Sequence, residues 1–155
     1  MKRLWAPWRR QYLFGPKTRG CVFCRARRAT NDRRHLVVHR GRHALVMLNL
    51  YPYTNGHLLI APNRHMNRVD RLTDAERVEL WQLAGEFTQR LDRALAPHGY
   101  NIGMNVGRAA GAGIVGHLHL HVVPRWTGDT NFMTAASGTR VISDSLDAVY
   151  HLLTP

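Results

Sequence analysis

The chain has 155 residues, enough for about one domain with a core of its own. Its 22 Lys+Arg against 10 Asp+Glu give a formal charge of +12, a field that favours anionic partners such as nucleotides, polyphosphates, nucleic acid or a membrane surface. No segment approaches the roughly 18 apolar residues of a membrane span, there is no signal-peptide apolar run, and the two cysteines, Cys21 and Cys24, stand too close for a good staple, so a soluble cytoplasmic protein without a membrane partner is expected.

Residues 1–20 interleave Trp5, Trp8, Tyr12 and Phe14 with Arg3, Arg9, Arg10, Lys17 and Arg19. Such a mixture can stack on nucleic-acid bases, but large rings gain more by docking on their own domain or a partner subunit, and docking is the reading adopted. Cys21-Val22-Phe23-Cys24 follows, then an Arg-rich stretch from Arg25 to His35, too polar for a core and read as a linker. Leu36 to Arg40 and His43 to Asn49 read as two strands about a tight turn at Gly41-Arg42. After a loop marked by Pro52, Asn55 and Gly56, His57 to Pro62 is a third strand, so three strands are expected before any helix.

Thr73-Asp74-Ala75-Glu76 has the form of a capping box, and Leu80, Leu83, Ala84, Phe87, Leu91 and Leu95 recur at three- and four-residue spacing up to Pro97, which predicts one long amphipathic helix. Tyr100 to Val106 reads as a fourth strand, Gly107 to Gly116 as a Gly/Ala-rich loop and His117 to Pro124 as a fifth strand. From about Asp144 a short helix is predicted, capped by Ser143. The fold class is α+β: a five-stranded, mainly antiparallel sheet with one long helix and a short C-terminal helix, in a single domain with an arm (1–35), a core (36–126) and a tail (127–155).

In the fifth strand His117, His119 and His121 alternate with Leu118, Leu120 and Val122. Successive strand side chains point to opposite faces, so the imidazoles share one side at roughly 6–7 Å spacing while the aliphatic residues face a core. Each half-buried imidazole needs partners for two ring nitrogens, so three in register mark a metal site or a catalytic one. A neutral imidazole is nucleophilic near pH 7 and can split phosphoryl transfer into two in-line steps through a covalent nucleotidyl-histidine. Cys21 and Cys24 supply half of a tetrahedral zinc site and need two further ligands from elsewhere. Asn49 and Asn105, each near a Pro or Gly, are either turn residues or polar groups of a site.

The alternation of His117, His119 and His121 with apolar residues resembles the motif of the histidine triad (HIT) family of nucleotide hydrolases and transferases. Asn49, eight residues before His57, and the run from His57 to Pro62 resemble the family's upstream half. The Cys-x-x-Cys and the stretch Pro124 to Phe132 resemble its bacterial branch that cleaves diadenosine polyphosphates. The resemblance implies a HIT-like fold with His119 as nucleophile, its Nδ1–H held by a backbone carbonyl. His121 would donate to phosphate oxygens as charge builds up, and His57 would support it from the adjacent strand. Asn49 would bind the ribose hydroxyls and Asn105 would enter the phosphate loop, where Gly107, Gly111 and Gly113 bring backbone N–H groups near phosphate. His65, after Pro62-Asn63-Arg64, and His117 would complete a structural zinc site with Cys21 and Cys24.

The sequence departs from better-known branches at Gly113, where they carry a Gln or Ser, and its loop before the triad is one residue longer. A backbone N–H, Arg108 or a tail residue would then serve the leaving phosphate. The expected protein is an enzyme that cleaves a nucleoside polyphosphate, diadenosine tetraphosphate or similar, with water or inorganic phosphate as final acceptor. It is expected to be a homodimer, with the long helix and the aromatic arm as candidate contacts. The other readings are a nucleic-acid-binding module that keeps the triad as a relic, and a nucleotide-binding regulator with negligible turnover.

Overall fold

A computed structural model describes residues 20–129, 142 and 144–154. The aromatic arm before Gly20, the tail residues Thr130 to Phe132 and the expected cap Ser143 lie outside the described residues. In chain order the elements are α1 (Val22–Arg28), α2 (Asp32–His35), β1 (Val37–Arg40), β2 (Ala44–Leu48), β3 (Leu58–Pro62), a 3-10 turn at Val69–Arg71, α3 (Asp74–Leu95), β4 (Gly99–Gly103), β5 (Leu120–Arg125) and α4 (Leu146–Leu153). The sheet runs β1-β2-β3-β5-β4 with every neighbouring pair antiparallel.

β2 and β3 are apolar at every position, and all their residues are buried. A run without alternation suits a strand covered on both faces. On one face Val46, Leu48, Leu58 and Ile60 join Leu118, Leu120 and Val122 against Leu80, Leu83, Phe87 and Leu91 of α3 and Val149 and Leu153 of α4. On the other, Leu45, Met47, Leu59 and Ala61 meet Phe23 and Ala26 of α1. The α3 capping box forms as expected, with Thr73 accepting from the Glu76 N–H and Glu76 from the Thr73 N–H.

The expected linker from Arg25 to His35 is instead helical over most of its length, so two helices precede the first strand. Phe23 and Ala26, one turn apart, give α1 an apolar stripe only two residues long, too short for periodicity to reveal among arginines. Arg40 fixes the end of α1: its guanidinium donates to the carbonyls of Ala26, Arg27 and Ala29 and to Asp32.

Several boundaries also move. β4 ends at Gly103 and β3 starts after His57. β5 starts at Leu120, because Leu118 N–H leaves the sheet ladder for the carbonyl of Met66, 2.6 Å away. α4 is capped by Ser145, whose hydroxyl accepts from the Ala148 N–H, two residues beyond the expected cap. The loop between β2 and β3 is pressed onto α3 at Gly56, which has φ +73° and where an added Cβ would come within 2.8 Å of Leu91 and Leu95. Only glycine meets both conditions there.

Candidate active site and metal centre

His117, His119 and His121 lie on the α1 side of the sheet, opposite the large core, with His117 and His119 buried. Carbonyl oxygens only accept, so they decide the tautomers of the first two. His119 Nδ1–H donates to the carbonyl of His117 at 2.8 Å, which leaves the Nε2 lone pair of His119 available. His117 Nε2–H donates to the carbonyl of Pro62 at 2.8 Å, which turns its Nδ1 lone pair toward the cysteines. The ring of Phe23, between Cys21 and Cys24, lies 5.0 Å from that of His117 and 5.1 Å from that of His119.

His121 sits opposite Leu59 on β3 and Gly103 on β4, so on one side its neighbour carries no side chain. Its Nδ1 is 2.9 Å from Nε2 of His57, and its Nε2 is buried with no hydrogen-bond partner among the described residues. His57 is fully buried, and its Nδ1 meets the Tyr53 N–H at 3.1 Å and Asn49 Nδ2 at 3.2 Å. The Tyr53 ring covers this pair, 4.6 Å from His57 and nearly parallel to His121 at 6.0 Å.

Burial holds the whole set neutral. Desolvation, with the neighbouring imidazoles His121 and His119, lowers His57 to about 3. Desolvation, with His119 beside it, lowers His121 to about 4. Desolvation also lowers His119, against the opposing pull of its bond to the His117 carbonyl. A neutral imidazole with a free Nε2 is the nucleophilic form.

The sulfurs of Cys21 and Cys24 and one nitrogen each of His65 and His117 lie within 4.8 Å of one another and could hold a metal ion. Nδ1 of His117 is 3.2 Å from Cys21 Sγ, 3.7 Å from Cys24 Sγ and 3.2 Å from Nδ1 of His65, which is 3.3 Å from Cys24 Sγ. Zinc bonds of about 2.3 Å to sulfur and about 2.0 Å to nitrogen put the corners of a tetrahedron roughly 3.3–3.8 Å apart, so this donor set has the right size and softness. Arg64, next to His65 in the chain, is held by a clamp that sequence reading missed. The Arg64 guanidinium makes a two-point pair with the buried Glu76 carboxylate, at 2.7 Å each, and donates to the Arg71 carbonyl.

Asn105 is half-buried just beyond β4, and Gly111 and Gly113 are exposed in the loop leading to His117. Among the described residues none of these three is hydrogen-bonded to a triad histidine. Gly107 and Gly111 have φ of +86° and +83°, whereas Gly113 has no such requirement and space for a side chain. Phe23, Tyr53 and Arg64 are site-shaping residues to which no role was assigned from sequence, whereas Glu76 was read only as part of the capping box and also anchors Arg64. Of the first three, Phe23 carried a signal, its place inside the Cys-x-x-Cys.

Residues 30–128 match the family model of the HIT domain. The chain is 38% identical to the AP-4-A phosphorylase of Mycobacterium tuberculosis over 161 residues, covering 99% of this chain and 83% of that protein. It is 34% identical over 109 residues to an uncharacterized HIT-like protein of Methanocaldococcus jannaschii, covering 70% and 81%. Among solved structures it resembles a Zn-bound histidine triad family protein from Mycobacterium smegmatis, with TM-score 0.69, 26% identity and coverage of 86% and 90%.

Proposed function

We propose a nucleotidyl-transfer enzyme, starting from the fact that this chain belongs to the histidine triad (HIT) family. Its substrate is a dinucleoside polyphosphate of the diadenosine tetraphosphate type, and the final acceptor is inorganic phosphate. The observation that carries this reading is the pairing of two complementary imidazoles: His119 with an open Nε2 lone pair, and His121 with a buried Nε2 that has no partner among the described residues.

In this reading Nε2 of His119 attacks the α-phosphorus in line. The N–P bond forms as the bond to the bridging oxygen breaks, and the nucleoside triphosphate leaves with the electron pair. His121 donates to a phosphate oxygen as charge develops there. An oxygen of inorganic phosphate then displaces His119 from phosphorus, so the products are ATP and ADP. Phosphate is favoured over water by the 38% identity to a protein that is itself an AP-4-A phosphorylase.

Asn49 is assigned to the ribose hydroxyls, and Asn105, Gly111 and Gly113 to the phosphate chain. The open space at Gly113 suits a loop that offers backbone N–H groups in place of a side-chain donor. Cys21, Cys24, His65 and His117 are assigned to zinc; with four protein donors they would hold it as a structural staple between the start of α1, the segment after β3 and the triad.

A second copy of the chain is assigned to two exposed features. One is the edge strand β4 with exposed Ile102, and the other is the outward face of α3, where Val78 and Trp81 are exposed. A Cys-x-x-Cys pair assigned to metal fits a reducing compartment such as the cytoplasm.

The test is turnover of diadenosine tetraphosphate with and without inorganic phosphate, by wild type and by His119→Ala. Phosphate-dependent ADP and ATP from wild type only are expected. Release of AMP and ATP regardless of phosphate would make the enzyme a hydrolase, and undiminished turnover by His119→Ala would remove the nucleophile assignment.

A further inference from the structure

The contacts around His57 share one direction. The Tyr51 N–H donates to Asn49 Oδ1 at 3.0 Å, which fixes the amide so that its NH2 group faces His57. Nδ1 of His57 therefore receives two donors, the Asn49 amide and the Tyr53 N–H, and neither can be reversed, since a backbone N–H and an amide NH2 only donate.

We propose that Asn49 and the backbone N–H of Tyr53 are positioning groups that set the proton register of the triad. By occupying the Nδ1 lone pair of His57 they put its proton on Nε2, which donates to Nδ1 of His121 and so leaves the single proton of His121 on Nε2, facing the site. The chain of donors starts at groups that cannot invert and ends at the one atom that must donate to phosphate. Burial of His57 excludes the alternative of a charged ring with protons on both nitrogens. The Tyr53 ring, lying against both imidazoles, keeps water from competing for the shared proton. Asn49 Nδ2 has a second proton, which remains for a ribose hydroxyl, so the two roles are compatible.

The usefulness of this register rests on the phosphoryl-transfer reading, but the register itself is a property of the free chain. It is tested on the full-length, metal-loaded protein labelled with 15N at histidine, without nucleotide, by long-range 1H–15N correlation spectra of the ring nitrogens. Expected in wild type are an unprotonated Nδ1 and protonated Nε2 at both His57 and His121, and the reverse at His119. Asn49→Ala removes one of the two donors and leaves the Tyr53 N–H. Nδ1 of His57 is then expected to stay unprotonated while its 15N resonance moves downfield, toward that of a less hydrogen-bonded lone pair.

A wild-type His57 or His121 with its proton on Nδ1 would overturn the proposal without any variant having to fold. So would an Asn49→Ala protein in which the 15N resonance of His57 Nδ1 is unmoved. Undiminished turnover in His119→Ala would instead remove the catalytic reading and leave the tautomers standing.

Discussion

His119 and His117 are joined by a bond that links two chemistries: the Nδ1–H of His119 donates to the backbone carbonyl of His117 at 2.8 Å, while the ring of His117 turns into the cluster of Cys21, Cys24 and His65. Whatever fixes the His117 ring also fixes the carbonyl from which the candidate nucleophile hangs. Metal occupancy and turnover are therefore expected to fall together. Chelation, or Cys24→Ser, should lower the thermal midpoint and kcat in parallel, with both restored to the chelated wild type by added zinc. Metal content measured by mass spectrometry alongside the melting curve checks this, and full activity in demonstrably metal-free protein would break the link.

Phe23 touches both rings from the side of α1 and is fully buried. Phe23→Ala should cost about 3–5 kcal/mol in urea denaturation, through lost burial and the cavity left behind. It should also lower kcat about tenfold or more, because the His119 ring loses its backing. Phe23→Leu, closer in volume, should lose about 1 kcal/mol and most of the kinetic defect should disappear.

His57 gives a pH dependence of stability with a definite sign. Its folded value of about 3 lies below the ordinary 6.5, so between these limits the unfolded chain binds the proton and the folded chain does not. Stability from this group is complete above pH 6.5 and declines as pH falls toward 3, by roughly 2 kcal/mol at pH 5. His57→Gln should be less stable than wild type at pH 8 but show a shallower loss between pH 6.5 and 5 in denaturant titrations. Parallel pH profiles for the two proteins would contradict the assignment.

The buried Glu76 carboxylate serves the α3 capping box and the Arg64 clamp at once, and the Arg64 side chain, together with the Thr73 N–H and hydroxyl, holds it at about 2. Glu76→Ala should cost about 2 kcal/mol, a modest figure because the Arg64 side chain is 56% exposed and rehydrates easily. Loosening the loop before His65 should also weaken zinc binding in competition with a chromophoric chelator. Glu76→Gln, which can still accept from the Thr73 N–H, should lose less of both.

Legibility in the sequence followed the range of the interaction. The α3 helix was readable because its cap and its apolar stripe are set within four residues, and β2 and β3 because burial on both faces leaves unbroken apolar runs. The shared face of His117, His119 and His121 was readable from alternation alone. α1 was not, since two apolar residues cannot establish a helical period, although Phe23 and Ala26 close the second face of the sheet. The assignment of Asn49 to the site came from a resemblance, and its contact with Nδ1 of His57 needed coordinates. Tyr53 was hidden for a different reason. Between Pro52 and Gly56 it reads as an ordinary turn residue, and only the fold brings its N–H to His57 and its ring over His121. The start of β5 was misplaced because the acceptor that diverts Leu118, the Met66 carbonyl, lies 52 residues earlier.

The central claim is that Nε2 of His119 becomes bonded to phosphorus. The most direct measurement is intact-protein and peptide mass spectrometry of the enzyme quenched after mixing with diadenosine tetraphosphate in the absence of inorganic phosphate. A mass increase of one adenylyl group, located on the peptide containing His119 and removed on adding phosphate, is the predicted result. Turnover without any adduct, or an adduct located on another residue, would contradict it.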